Sequence, residues 1–376
     1  MIPDDLEVID FNRRLKSWYL ENHRSLPWRE TKDPYKIWLS EVILQQTRVV
    51  QGLPYYERFT DQYPTVFDLA AADERDVLRL WQGLGYYSRA RNMHFTARQV
   101  VNDYNGRFPE SAEKLLKLKG LGQYTASAIA SFAFDEVVPA IDGNVYRVMA
   151  RIFGIQSDML GNEGKKEFAA VAKQLVSKED PATYNQAMIE FGALQCVPAS
   201  PNCAVCIFND RCFAYMHQMQ GQLPVKIKKL TVKHRYLNYI IMKRGDRLAM
   251  HERRGRDIWK GLYDFQLIES KAPVTCPDSL TLLDPNFQDL LKKGRLTEIP
   301  KVYSHILTHQ RLQVRFWWLE IPETERIDLP HGMAFYSHEE VEVLPKPILI
   351  DTVLREESYL SPPDHCCGQR ACSSIA

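Results

Sequence analysis

Cys196, Cys203, Cys206 and Cys212 stand in the pattern C-x6-C-x2-C-x5-C, four potential thiolate ligands within seventeen residues. That is the ligand count of one metal centre. A structural zinc ion is the simplest reading of any such set. Zinc folds, however, usually present two C-x2-C pairs separated by a longer loop. Here only Cys203 and Cys206 are close, and the other two flank them in one compact loop, 196–212. Such a loop wraps a 4Fe–4S cubane more naturally than a single ion.

Two carboxylates have unusual surroundings. Glu41 sits among Ile37, Trp38, Val42 and Leu44 on a largely apolar helical stretch. Desolvation there would raise its pKa and keep it protonated near neutrality, as a general acid requires. The plainer alternative is a glutamate on a polar helix face. Asp142, in Ala140-Ile141-Asp142-Gly143-Asn144-Val145, stands at the start of another helix. It reads either as an N-cap or as a carboxylate aimed into a cleft. An acid and a charge-stabilising carboxylate together form the usual apparatus for breaking a glycosidic bond. Between them in the chain, Leu118-Lys119-Gly120-Leu121-Gly122-Gln123-Tyr124-Thr125 reads as a tight helical hairpin. Its glycines and exposed N–H groups suit a phosphate backbone, although a plain hairpin has the same pattern.

Helices must position these residues. Apolar spacing predicts them over 6–19, 34–47, 73–80, 88–104, 112–118, 124–134 and 145–153, continuing at 163–177 and 181–195. Asp33-Pro34 is a good helix start. No alternating strand run appears before Leu230. From 224 to 235 five basic residues and no acid read as an exposed connector that could run beside phosphates. Strands follow at 236–242, 247–251, 261–268, 313–319 and 332–337, with a helix over 285–293. The chain of 376 residues allows two domains, and its net charge of +1 neither favours nor excludes nucleic acid. No apolar run is long enough for a membrane span. The acidic start, without a signal-peptide pattern, predicts a reducing intracellular setting, cytoplasmic or nucleoid-associated. Residues 359–376 read as a disordered tail. His365, Cys366, Cys367 and Cys372 in it offer a second metal site as the alternative, and Cys276 is isolated.

Taken together these residues resemble the helix-hairpin-helix DNA glycosylases with an iron–sulfur loop, and within them the adenine-specific mismatch glycosylases (MutY type). The resemblance runs over about 5–350. Its carriers are Pro27-Trp28-Arg29, 33–47, Gly83-Leu84-Gly85-Tyr86-Tyr87-Ser88-Arg89-Ala90-Arg91-Asn92, the 120–125 hairpin, 142–145 and the cysteine loop. It implies an all-α helix-hairpin-helix domain (1–215), a basic linker (216–235) and a smaller α+β Nudix-like domain (236–358). The implied cofactor is a 4Fe–4S cluster on the four cysteines. Glu41 takes the place of the acid that protonates adenine N7. Asp142 takes that of the carboxylate stabilising the oxocarbenium ion, beside Asn144. At Tyr124 the related endonuclease III branch has a lysine that forms a Schiff base and cuts the strand. Tyrosine cannot, so base removal by water without an efficient lyase step is implied. Trp28, Arg29 and Glu190 would line the adenine pocket. Gln46, Leu84 and Tyr86 would wedge into the duplex; a core role is the plainer alternative for Leu84, but its flanking glycines suit an exposed tip better. Gly120, Gly122 and Gln123 would meet phosphates.

The second half resembles the Nudix-like domain that reads the base opposite adenine. Trp259-Lys260-Gly261-Leu262 fits its signature, whereas the acids a Nudix hydrolase uses for magnesium are missing after Gly261. Two segments compete as reader of 8-oxoguanine. Leu307-Thr308-His309 aligns better than Tyr303-Ser304-His305, although Leu and Thr replace the family's Phe and Ser. The implied partner is double-stranded DNA with an A:8-oxoguanine or A:G mispair, bound by a monomer with no membrane role.

Overall fold

The computed structural model describes residues 5–227, 232–255, 257–274, 280, 288–307 and 309–359. Cys276, Thr308, the terminal cysteines and His365 therefore lie outside the described residues. The chain divides into two compact units, Met1–Ala72 with Ser88–Lys229, and Asp73–Tyr87 with Leu230–Ala376. Among the described residues no helix is long and apolar enough to cross a membrane.

The first unit is helical. It comprises α1 (Asp5–Asn22), α2 (Pro34–Ile43), α3 (Val49–Gln62) and α4 (Val66–Ala71); α5 (Glu74–Leu80) belongs to the second unit. It continues with α6 (Ser88–Tyr104), α7 (Ala112–Leu115), α8 (Gln123–Phe134), α9 (Gly143–Phe153), α10 (Asn162–Leu175), α11 (Pro181–Leu194) and α12 (Phe213–Met216). Local chemistry sets the ends. Asp33 caps α2, accepting from Tyr35 N at 2.9 Å, with Pro34 in the first turn. Gly154 ends α9 at φ +69°. α1, α9, α10 and α11 bury a core around Phe11, Met149, Phe168 and Phe191, and Phe208 of the cysteine loop stacks on Phe11 at 4.7 Å.

The helix predicted over 34–47 stops at Ile43. Gln46 adopts φ +58°, and one Arg89 nitrogen, Nη1, donates to the carbonyls of Val42, Ile43 and Gln45. A side chain replaces the next helical turn as partner for these carbonyls. α3 and α4 are additional to the sequence reading; Gly52 and Pro54 interrupt the apolar pattern of α3.

In the second unit α5 joins eight strands: β1 (Lys233–Arg244), β2 (Arg247–Glu252), β3 (Tyr263–Asp264), β4 (Gln266–Ser270), β5 (Arg295–Glu298), β6 (Tyr303–Ile306), β7 (Gln310–Glu320) and β8 (Ala334–Tyr336). Among the described residues, α13 (Gln288–Lys292), α14 (His338–Val343) and α15 (Ile348–Glu356) accompany them. The main path runs β3-β2-β1-β7-β5, with β4 on β1, β6 on β7 and β8 on β2. β1 and β7 are parallel from Lys233↔Gln310 to Lys243↔Glu320. Ile240, Met242, Trp317 and Leu319 form the centre of a core on this sheet. β1 begins earlier than predicted. Lys233 and Arg235 are strand residues rather than part of an exposed connector, and Arg235 is buried between Asp257 and Glu269 at 3.0 and 2.7 Å.

Candidate active site

Glu41 lies on α2 and Tyr124 in the first turn of α8, two helices packed on each other. Glu41 is buried, and desolvation pushes its carboxyl up to about 7. The Tyr124 hydroxyl donates to it and opposes that rise, Asp142 adds to it and Arg29 reduces it. These four groups therefore share one electrostatic environment, although they come from four separate stretches of chain.

Asp142 is the N-cap of α9. Its Oδ1 accepts from Asn144 N and Val145 N, both at 2.8 Å, and its Oδ2 from Asn144 Nδ2 at 2.7 Å. The cap and cleft readings are thus compatible, because the bonds that start the helix also fix the carboxylate's direction. Burial raises its pKa despite these donors. Asn185 on α11 sets the approach to it, accepting from Ala140 N at 2.9 Å and donating to Val138 O at 2.8 Å.

Glu190 has no exposed surface. Its oxygens accept from Arg29 Nη1 and Nη2 at 2.9 and 2.7 Å, and from Arg24 Nε and Nη2 at 2.8 and 2.6 Å. Burial alone would raise this carboxyl, yet the two guanidiniums hold it well below the usual carboxylate range. Glu190 therefore orients Arg29 from behind. Arg24 escaped the sequence reading, since nothing local marks an arginine whose partner is 166 residues away. Trp28 is buried edge-on against Tyr56 at 5.0 Å.

The hairpin has Gly120 at φ +82°, where a Cβ would come within 2.8 Å of Asn92 Cβ. Gly122, the N-cap of α8, has open space on its Cβ side and no side chain to cap with, and Gln123 beside it is exposed. Gln46 is also exposed. Leu84 is not the exposed tip that its flanking glycines suggested: it is 6% exposed, whereas Tyr86 is 47% exposed at φ +47°. Gly83 and Gly85, at φ 102° and 70°, reverse the chain so that Leu84 tucks inward. In the second unit Tyr303-Ser304-His305 is part of β6, with Tyr303 buried. Leu307 N donates to Gln310 O at 2.9 Å at the start of β7, and His309 is exposed.

The four cysteines are free thiols lining one small cavity with Arg151 and Phe191. Among the described residues no three His, Cys, Asp or Glu side chains converge as a single-ion site requires. Burial pushes the Cys206 thiol up to about 11, and Cys196, Cys212 and Cys203 each contribute in the same direction. α9 links this loop to Asp142. Arg147 donates to Asn144 Oδ1 at 2.8 Å, Gly192 O at 2.7 Å and Cys196 O at 2.8 Å. One turn on, Arg151 donates to Val197 O, Pro198 O and Gln220 O at 2.7, 2.9 and 2.7 Å.

This fold and this pairing of carboxylates define a helix-hairpin-helix base-excision class with an appended α+β domain. Residues 39–178 match the HhH-GPD superfamily base excision DNA repair protein model, and residues 238–356 the NUDIX domain model. Adenine DNA glycosylase of Buchnera aphidicola subsp. Baizongia pistaciae is 32% identical over 324 residues, 84% of this chain and 88% of the relative. The Rattus norvegicus adenine DNA glycosylase is 41% identical over 232 residues, 59% of this chain and 45% of the relative. The chain thus spans under half the length of that relative. A thermostable thymine-DNA glycosylase structure aligns at TM-score 0.52 and 29% identity, over 56% of this chain and 97% of that one. A non-covalent endonuclease III–DNA complex shares the fold at TM-score 0.50 and 22% identity, over 58% and 99%. The chain belongs to the adenine DNA glycosylase family.

Proposed function

We infer that this protein removes adenine from duplex DNA where it is mispaired with 8-oxoguanine or guanine, and does so without an efficient lyase step. The observation that carries the reading is Glu41, a buried carboxyl with a pKa near 7, in the same environment as Asp142 and Tyr124. Adenine leaves the base stack. Glu41 gives its proton to N7 as the C1′–N9 bond breaks and its electron pair passes to the base. Asp142, held by Asn144, balances the positive charge on the sugar. Water then adds to C1′ and gives a proton back to the Glu41 carboxylate, which restores the acid. Tyr124 orients Glu41 and, lacking an amine, forms no Schiff base. Arg29, fixed by Arg24 and Glu190, faces the base, with Trp28 behind it.

Gly120, Gly122 and Gln123 would hold phosphates, and the tight turn and uncapped helix start support that role. Gln46 and Tyr86 would occupy space in the duplex, and their exposure supports them over Leu84. Leu307, Thr308 and His309 would read 8-oxoguanine; the exposure of His309, against the burial of Tyr303, supports them over the strand residues 303–305. Cys196, Cys203, Cys206 and Cys212 would hold a 4Fe–4S cluster. Four thiols lining one cavity match the ligand count of such a centre. When bound, such a cluster cross-links the loop that Arg147 and Arg151 grip.

The test is a duplex labelled on the adenine strand, incubated with protein and then treated with alkali. Cleavage only after alkali is the expected result. Breaks without alkali, or removal of oxidised pyrimidines instead, would assign the chain an endonuclease III-like reaction. A yellow-brown protein is expected from the cluster, and a colourless zinc-loaded one would reject it.

A further inference from the structure

Asp73–Tyr87 lies in sequence within the helical half but folds with the second unit. Hydrogen bonds of Arg75, Gln82 and Tyr87 are among the contacts that hold it there. Arg75 on α5 donates Nη2 to the Tyr263 hydroxyl at 2.9 Å, and its guanidinium carbon lies 5.4 Å from that ring's centroid. Gln82 Oε1 accepts from Lys346 N at 3.2 Å. The Tyr87 hydroxyl donates to Lys346 O at 3.4 Å. The anchors are themselves fixed. Tyr263 is buried and meets Tyr336 edge-on at 5.8 Å. Lys346 is wholly buried, and its Nζ donates to the carbonyls of Val341 and Leu344 at 2.5 and 3.0 Å, capping α14.

Between these anchors the chain makes its sharp turn, closed by Trp81 Nε1 donating to Gly85 O at 2.9 Å. Tyr86 protrudes from it. Gly85 and Tyr86 line an open cavity of about 390 Å³ together with Ile306, Leu307 and Arg311. Tyr86 and Leu307 therefore line one site within one unit.

We propose that Tyr263 and Lys346 are positioning residues for the wedge. Through Arg75, Gln82 and Tyr87 they set the distance between Tyr86 and Leu307, so that filling the cavity with the base opposite adenine and inserting Tyr86 become a single event. Recognition that depends on such spacing is lost when a supporting contact loosens, even with the contacting side chains intact. This proposal rests on the 307–309 segment being the reader of that base.

The test uses the full chain, Tyr263→Phe and Gln82→Leu. Adenine excision is measured in single turnover opposite 8-oxoguanine and opposite guanine. Wedge insertion is read from the fluorescence of 2-aminopurine placed beside the opposing base, on a duplex whose adenosine carries 2′-fluorine to resist cleavage. Tyr263→Phe is expected to slow excision opposite 8-oxoguanine about tenfold, as for loss of one hydrogen bond to a charged group, and opposite guanine by no more than about twofold. The fluorescence rise on binding falls in parallel, and Gln82→Leu acts in the same direction. Equal slowing on both duplexes, or an unchanged fluorescence rise, would overturn the proposal. Absence of excision by the wild-type chain would reject the glycosylase reading, yet the fluorescence comparison would still decide the positioning role. A wild-type chain that gives no rise overturns it.

Discussion

Glu41 has a proton to give at neutral pH only because water is kept from it. Its pKa of about 7 against the ordinary 4.5 predicts that excision falls as pH rises through 7. Tyr124→Phe removes the hydroxyl that favours the charged form, so the alkaline limb should move up by about one unit. A limb that stays in place would assign the titration to another group. Glu41→Gln should slow excision on the order of 10²–10⁴-fold with DNA affinity retained. The same shift has a stability consequence. The folded-state pKa is raised, so the stabilising effect is complete below 4.5 and is lost as pH rises through 7. Above that, wild type holds a buried charge at a cost on the order of 3 kcal/mol. Glu41→Gln should therefore raise the melting temperature at pH 8 and leave it nearly unchanged at pH 4.5. The apolar neighbours of Glu41 were legible in the sequence because they are its helical neighbours. Arg24 was not, since its role exists only once α11 is folded against it. Leu84 was misjudged because paired glycines permit a turn without saying which way its middle residue faces.

Among the elements, α9 does the most linking. It starts on Asp142, and Arg147 and Arg151 carry its opposite side into the cysteine loop. Both arginines hold that loop, but only Arg147 also holds Asn144. Arg147→Ala and Arg151→Ala should each destabilise the protein by about 3 kcal/mol through orphaned buried carbonyls, measurable by denaturant melts. Excision at saturating DNA should fall about tenfold further in Arg147→Ala. Equal rates in the two variants would remove Asn144 from the control of Asp142. Helix periodicity located α9 and most of its neighbours, whereas helix ends depended on distant partners such as Arg89. The strands were harder. β5 and β6 are four residues each, too short for alternation to register. The start of β1 was hidden by charge, because Arg235 is neutralised by Asp257 and Glu269 from elsewhere in the chain.

At the scale of the molecule, composition pointed to two domains and the motifs to their order. The excursion of Asp73–Tyr87 into the second unit was not legible. Nothing in an amphipathic helix and a glycine turn names the surface they pack on. A fragment of residues 1–229 would lack Tyr263 and Lys346, the partners of Arg75, Gln82 and Tyr87. Trypsin should then cleave after Arg75 or Arg79 at least about tenfold faster than in the intact chain, read by mass spectrometry. Equal protection in the two would show that the segment is held without the second unit.

The chain crosses between the units three times, after Ala72, after Tyr87 and after Lys229. On the proposed function, base-reading specificity would therefore not be a cassette that can be exchanged at one junction. A chimera that takes the second unit from a relative, but keeps the resident 73–87, would combine a foreign socket with a native plug. Exchange should succeed only when both pieces travel together, and inheritance of specificity among relatives should follow the same rule.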